Sequence, residues 1–143
     1  MNHAFERGIG QQIILKNLQK PKEISLNEDI DWLGESFGFS CGRDTEKITS
    51  QILKSVLQEV AADGSTSTEK ISDELDLEVQ RVNYHLRTLV DSGFLYREKR
   101  LIFVRQGSVK AAVEEMRKDA NRIFDGLSII AEEIDKELGL RNR

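Results

Sequence analysis

The chain has 143 residues, 38% hydrophobic and 32% charged, with a formal net charge of 21 − 25 = −4. That balance describes a water-soluble globular chain with room for one compact core plus extensions, and the lone Cys41 excludes an internal disulfide. No run approaches the roughly eighteen apolar residues a membrane span needs, and residues 1 to 20 lack a secretion-signal pattern, so the chain is expected to be cytoplasmic.

Phe5, Ile9, Ile13, Ile14 and Leu18 recur at helical spacing ahead of Pro21, which predicts a first helix over 5–20. Asn27 is then placed to cap a short helix presenting Ile30, Leu33 and Phe37, while Gly34, Gly38 and Gly42 break up the second half of this segment into a turn-rich loop. Trp32, Phe37, Phe39 and Cys41 form an aromatic group whose ordinary reading is packing. From Thr45 to Ala62, Ile48, Ile52, Val56 and Val60 recur every four residues, Leu53 and Leu57 widen the stripe, and Gly64 stands where a C-terminal cap belongs.

The stretch "STSTEKISDEL" predicts a short helix with a capping box of Thr66 and Glu69 and a buried pair, Ile71 and Leu75. "DL" links it tightly to a helix whose inner face carries Val79, Val82, Leu86, Leu89 and Val90, ended by Asp91-Ser92-Gly93. Two β-rich runs, 94–97 and 101–105, flank a Glu98-Lys99-Arg100 tip and predict a hairpin, although the tip lacks the Asn-Gly type of pair that suits tight turns.

In the last segment Val109, Val113, Met116, Ala120, Ile123, Leu127, Ile130, Ile134 and Leu138 are spaced 4, 3, 4, 3, 4, 3, 4, 4, close to a heptad pattern between Ser108 and Gly139. A helix of about 30 residues spans roughly 45 Å, longer than a domain of this size covers alone, so the stripe calls for a partner chain. The expected dimer interface is Val113, Met116, Ala120, Ile123, Leu127, Ile130 and Ile134, with the N-terminal helix joining the same bundle; the alternative is that the long helix folds back on the first and third helices of its own chain. Gly126 marks a bend or a close helix contact.

The order of helices, hairpin and long helix is that of a winged helix-turn-helix: mainly α, with a small β-hairpin wing. "EKISDELDLEVQRVNYHLRTLVDSGFLYREKRLIFVRQG", and within it Val82, His85-Leu86, Leu89 and Gly93-Phe94-Leu95, resembles the DNA-binding core of ArsR/MarR-type prokaryotic winged-helix regulators. The resemblance reaches 45–107 and departs from the family at Glu78, where a Ser or Asp cap is usual, and in the absence of the paired cysteines of its metal-sensing branch. It divides the chain into an N-terminal helical extension (1–44), the DNA-binding domain (45–107) and a coiled-coil-like dimerisation helix (108–143).

With Val82, Leu86 and Leu89 turned inward, the outer half of the recognition helix presents Gln80, Arg81, Asn83, Tyr84 and Arg87, which the resemblance places in a DNA major groove as base contacts. Arg97, Lys99 and Arg100 on the wing, with Thr66 and Ser67 before the first helix of the motif, are expected at phosphates. Charge supports this locally: residues 78–105 hold six basic and three acidic side chains, +3, leaving −7 for the rest. Any one such Arg or Lys is ordinary solvated charge, and only the set on this motif points to double-stranded DNA. His85 reads as a packing residue with a polar tip.

No Ser/His/Asp set, carboxylate pair or phosphate loop points to catalysis, and one Cys with two distant His residues makes no zinc constellation. Neither enzyme activity nor a cofactor or metal is expected, and no effector is assigned. The competing class is a winged helix used for protein contacts, its Arg-rich face docked on an acidic partner.

Overall fold

The structure, a computed structural model, describes residues 10–39 and 47–142. Among these residues α1 (Leu26–Ser36), α2 (Ile48–Asp63), α3 (Thr68–Leu75) and α4 (Val79–Asp91) lead into an antiparallel hairpin, β1 (Leu95–Glu98) and β2 (Leu101–Val104). A 3₁₀ turn at Arg105–Gly107 then opens α5 (Val109–Leu138). This is a winged helix-turn-helix with a long C-terminal helix, as the periodicities predict. Phe5, Ile9, Cys41, Gly42 and Thr45 lie outside the described residues.

One core serves all of these elements. Ile52 and Val56 of α2, Ile71 of α3, Val82, Leu86 and Leu89 of α4, and Phe94 and Ile102 of the wing are fully buried. Each such side chain contributes about 1.5 to 3 kcal/mol of apolar transfer, so this cluster is what fixes the angle of α4 against the domain. Phe39 joins it from the end of α1, its ring 5.9 Å from that of Phe94. Val79, expected on the inner face, is 43% exposed, because it is the first residue of α4 and stands beyond the edge of this core.

The predicted first helix is not formed over its described part: residues 10–20 carry no regular secondary structure. The backbone there bonds to distant partners instead, Gln12 N donating to the Asp91 carbonyl at 3.0 Å and Lys16 N to the Ser36 carbonyl at 2.7 Å. The β-branched pair Ile13-Ile14 weakens any helix here, so tertiary pairing prevails over the apolar spacing.

Two of the predicted caps move by a residue or two. Ser25, not Asn27, caps α1, its Oγ accepting from Glu28 N at 3.0 Å. Ser67, not Thr66, caps α3, accepting from Lys70 N at 3.1 Å. Thr66 is released to bridge the wing, exchanging both backbone hydrogen bonds with Ile102. Gly34, expected to break structure, lies inside α1, where a Cβ would stand 3.3 Å from Leu53 Cδ2; its lack of a side chain lets α1 close on α2.

The long helix divides in two. Ser108 caps it as expected, accepting from Ala111 N at 3.1 Å, and Gly139 ends it with a positive φ. Ala112, Met116 and Asp119 are buried on the domain, whereas every residue from 121 to 142 is exposed. Val113 and Met116, assigned to the dimer interface, therefore belong to the chain's own core.

Asp119 is 2% exposed, and three side chains donate to it. Arg105 Nη1 donates to its Oδ2 at 2.5 Å, Gln11 Nε2 at 2.7 Å, and Arg122 bonds Oδ1. Gln11 also donates to the Ser92 carbonyl at 3.0 Å, at the C-terminus of α4. A Cβ on Gly93 would fall 2.4 Å from Gln11 Nε2 and 2.9 Å from Arg105 Nη1, and its φ of +91° suits only glycine.

Hydrogen bonds from Arg105, opposed by burial but reinforced by Gln11 and Arg122, hold the Asp119 carboxyl well below the ordinary carboxylate range. A depressed carboxylate stabilises the fold above its unfolded pKa and loses that contribution as pH falls towards the folded value. Asp119→Asn is expected to cost about 2 kcal/mol at pH 7, below the range for a fully buried pair because Arg105 is partly exposed. Urea titrations should show the gap to the unaltered chain closing below about pH 4.

Candidate nucleic-acid interface

The turn between α3 and α4 is set by Asp76, which adopts a left-handed conformation at φ 54° and directs Leu77 N back to the Ser72 carbonyl at 3.1 Å. Asp tolerates this conformation better than most residues. Ser55 Oγ donates to Glu74 Oε2 at 3.1 Å, and Lys70 Nζ lies 2.7 Å from Glu59 and 2.8 Å from Asp63, so α3 is tied to α2. The opposite side of the pair is left to α4.

On α4, Gln80, Arg81, Tyr84 and Arg87 are all exposed, Tyr84 by 67%. Asn83 is half-buried at the edge of this face, its Oδ1 accepting from Arg97 Nη2 at 2.6 Å. The same guanidinium reaches Thr68 Oγ1 at 3.4 Å. Arg97 therefore joins wing, α4 and the start of α3 rather than standing free at the wing surface. His85 sits half-buried beneath, its Nδ1 2.8 Å from Thr49 Oγ1 and its ring edge-on to Tyr84 at 5.2 Å.

Thr66 is 3% exposed and its backbone is committed to the wing, so it leaves the expected phosphate set. Ser67 remains at the first helix of the motif with its hydroxyl engaged as the cap. Arg105, counted among the local positive charges, is spent on Asp119 and Glu115. Removing it leaves Arg81, Arg87, Arg97, Lys99 and Arg100 against Glu78, Asp91 and Glu98, or 5 − 3 = +2.

The Thr68 hydroxyl and the Arg97–Asn83 bond were not foreseen. They pair residues far apart in sequence, and nothing local marks them. Among the described residues no three His, Cys, Asp or Glu side chains group as metal ligands. No helix there is long and apolar enough to cross a membrane.

Residues 54–97 match a family model described as a helix-turn-helix domain. That span runs from α2 through α3 and α4 into β1, taking in the whole exposed α4 face. Over these residues the structure has the helix-turn-helix fold. No curated protein and no solved structure matches the chain.

The wing of this helix-turn-helix domain turns more tightly than expected. Glu98 pairs with Leu101, so the loop is only Lys99 and Arg100, both with positive φ, 51° and 71°. Two positive φ values match the right-handed twist of a hairpin, but Asn-Gly is the pair that adopts them without strain. Stacking of Tyr96 on Phe103, ring centroids 4.9 Å apart, supports the strands behind this turn. Replacing the tip by Lys99→Asn with Arg100→Gly is expected to raise stability by about 1 kcal/mol in thermal unfolding. Unchanged or lower stability would show that the two cationic side chains hold the turn through contacts of their own.

Proposed function

We propose that this chain is a homodimeric, sequence-specific transcription regulator that binds double-stranded DNA and belongs with the ArsR/MarR-type winged helices its recognition-helix pattern resembles. The observation that carries this reading is the α4 face: Gln80, Arg81, Tyr84 and Arg87 stand exposed beside a wing tip of Lys99 and Arg100. Arg81 and Arg87 have the guanidinium fork that bonds guanine, and Gln80 and Asn83 the amides that bond adenine, each good pair supplying about 1 to 3 kcal/mol of discrimination. Arg97 steadies the Asn83 amide for that role and lends positive charge to the groove edge. Lys99, Arg100 and Ser67 take phosphates.

Dimerisation rests on a different observation. Ile123, Leu127, Ile130 and Ile134 are 43 to 60% exposed on a helix that has left its own domain. A second copy gives that stripe cover and gives DNA two recognition helices, as a two-fold symmetric site requires. The regulator acts in the cytoplasm, without catalysis and without a bound cofactor.

Selection from a pool of random duplexes at two salt concentrations, followed by sequencing, tests this. An inverted repeat should be enriched. Arg81→Ala and Asn83→Ala should flatten the preference at defined positions, whereas Lys99→Ala should weaken every duplex and reduce the salt slope by about 1. If no duplex is retained even at low salt, the α4 face serves a protein partner instead.

A further inference from the structure

An apolar groove of about 840 Å³ runs along the domain between α1, α2 and the root of α5. Leu26, Ile30, Trp32, Leu33, Leu57 and Val109 line it, with Lys20 and Asp29 among its polar groups. Leu26 is 68% exposed there, and the indole Nε1 of Trp32 is buried without a hydrogen-bond partner. The groove begins beside Val109, where α5 starts. Nothing of the described chain fills it, while the other end of α5 carries an apolar stripe with no cover.

We propose that two copies of α5 pair antiparallel, and that the distal end of each, Ile134 and Leu138, closes the partner's groove. This rests on the homodimer reading and gives it a geometry. A two-fold axis between residues 123 and 124 sets Leu138 opposite the partner's Val109, since 109 and 138 lie equally far from it. The same register sets Ile134 opposite the partner's Val113, which is half-buried, Leu127 opposite the partner's Ala120, and Phe124 opposite the partner's Ile123, while Met116 stays in its own core and Ile130 lies level with the partner's Arg117. At these three levels an apolar residue meets an apolar residue, and Leu127 faces an alanine with room for it.

Charge selects the same direction. From Ala120 to Leu138 the helix carries Arg122 and Lys136 against Asp125, Glu132, Glu133, Asp135 and Glu137, or 2 − 5 = −3. Parallel pairing aligns two such segments side by side and leaves both grooves open. Antiparallel pairing separates the two acidic segments and takes each to a groove whose wall carries Lys20 and Asp29, with Lys22 and Lys110 next in sequence to the lining residues Pro21 and Val109.

The full chain with Cys41→Ser provides the test. Val109 and Leu138 are about 44 Å apart along one helix, so a short bis-maleimide cannot join them within a chain. Val109→Cys with Leu138→Cys should give a covalent dimer, and Leu138→Cys alone should not. Leu26→Glu, at an exposed position the fold tolerates, should weaken the dimer at least about tenfold in sedimentation. Crosslinking of Leu138→Cys alone, or a dimer indifferent to Leu26→Glu, would overturn the antiparallel arrangement while leaving a dimer. A monomer at tens of micromolar for the unaltered chain would instead remove the homodimer reading itself.

Discussion

The buried Asp119 carboxylate is the constraint on which the arrangement of the chain depends. Arg105 from the end of the wing, Gln11 from the N-terminal segment and Arg122 from the next turn of α5 all bond to it. Through Gln11 and Gly93 the cluster also touches the end of the recognition helix. A charge taken out of water is tolerated only when its acceptors are satisfied, so these groups must take up their places together. The consequence is a rigid joint where the DNA-facing domain, the wing and the helix proposed to dimerise meet.

That joint divides the continuous stripe of α5 into two parts. Up to about residue 119 its apolar side chains complete the core, and beyond that point the same face leaves the domain uncovered. Because the helix is fixed at Asp119, its outer half projects in a set direction. In the proposed dimer, a partner bound there would fix the separation of two recognition helices, which is what a half-site spacing on DNA requires.

Much of this was legible from apolar periodicity. The stripes of α2, α4 and α5 and the paired wing strands arise from burial, and burial leaves a repeating mark in the sequence. Capping was less legible because several neighbouring residues qualified: Ser25 and Asn27, or Thr66 and Ser67, differ only in which oxygen meets a free N–H. The extended course of residues 10–20 was hidden, since its backbone partners, Asp91 and Ser36, are distant in sequence. Arg105 reads like any other wing cation, and Asp119 like any polar residue beside a stripe. Only the fold shows that they neutralise each other and withdraw from the interface.

The most direct test of the α4 face is a nitrogen-15 chemical-shift titration of the full chain with a duplex of about 20 base pairs, long enough for two adjacent half-sites, at low salt. The largest shifts should fall on amides of residues 79–88 and of the wing tip, with α1 and the distal half of α5 little affected. Shifts centred on α1 or distal α5, or none at all, would contradict a DNA role for this face.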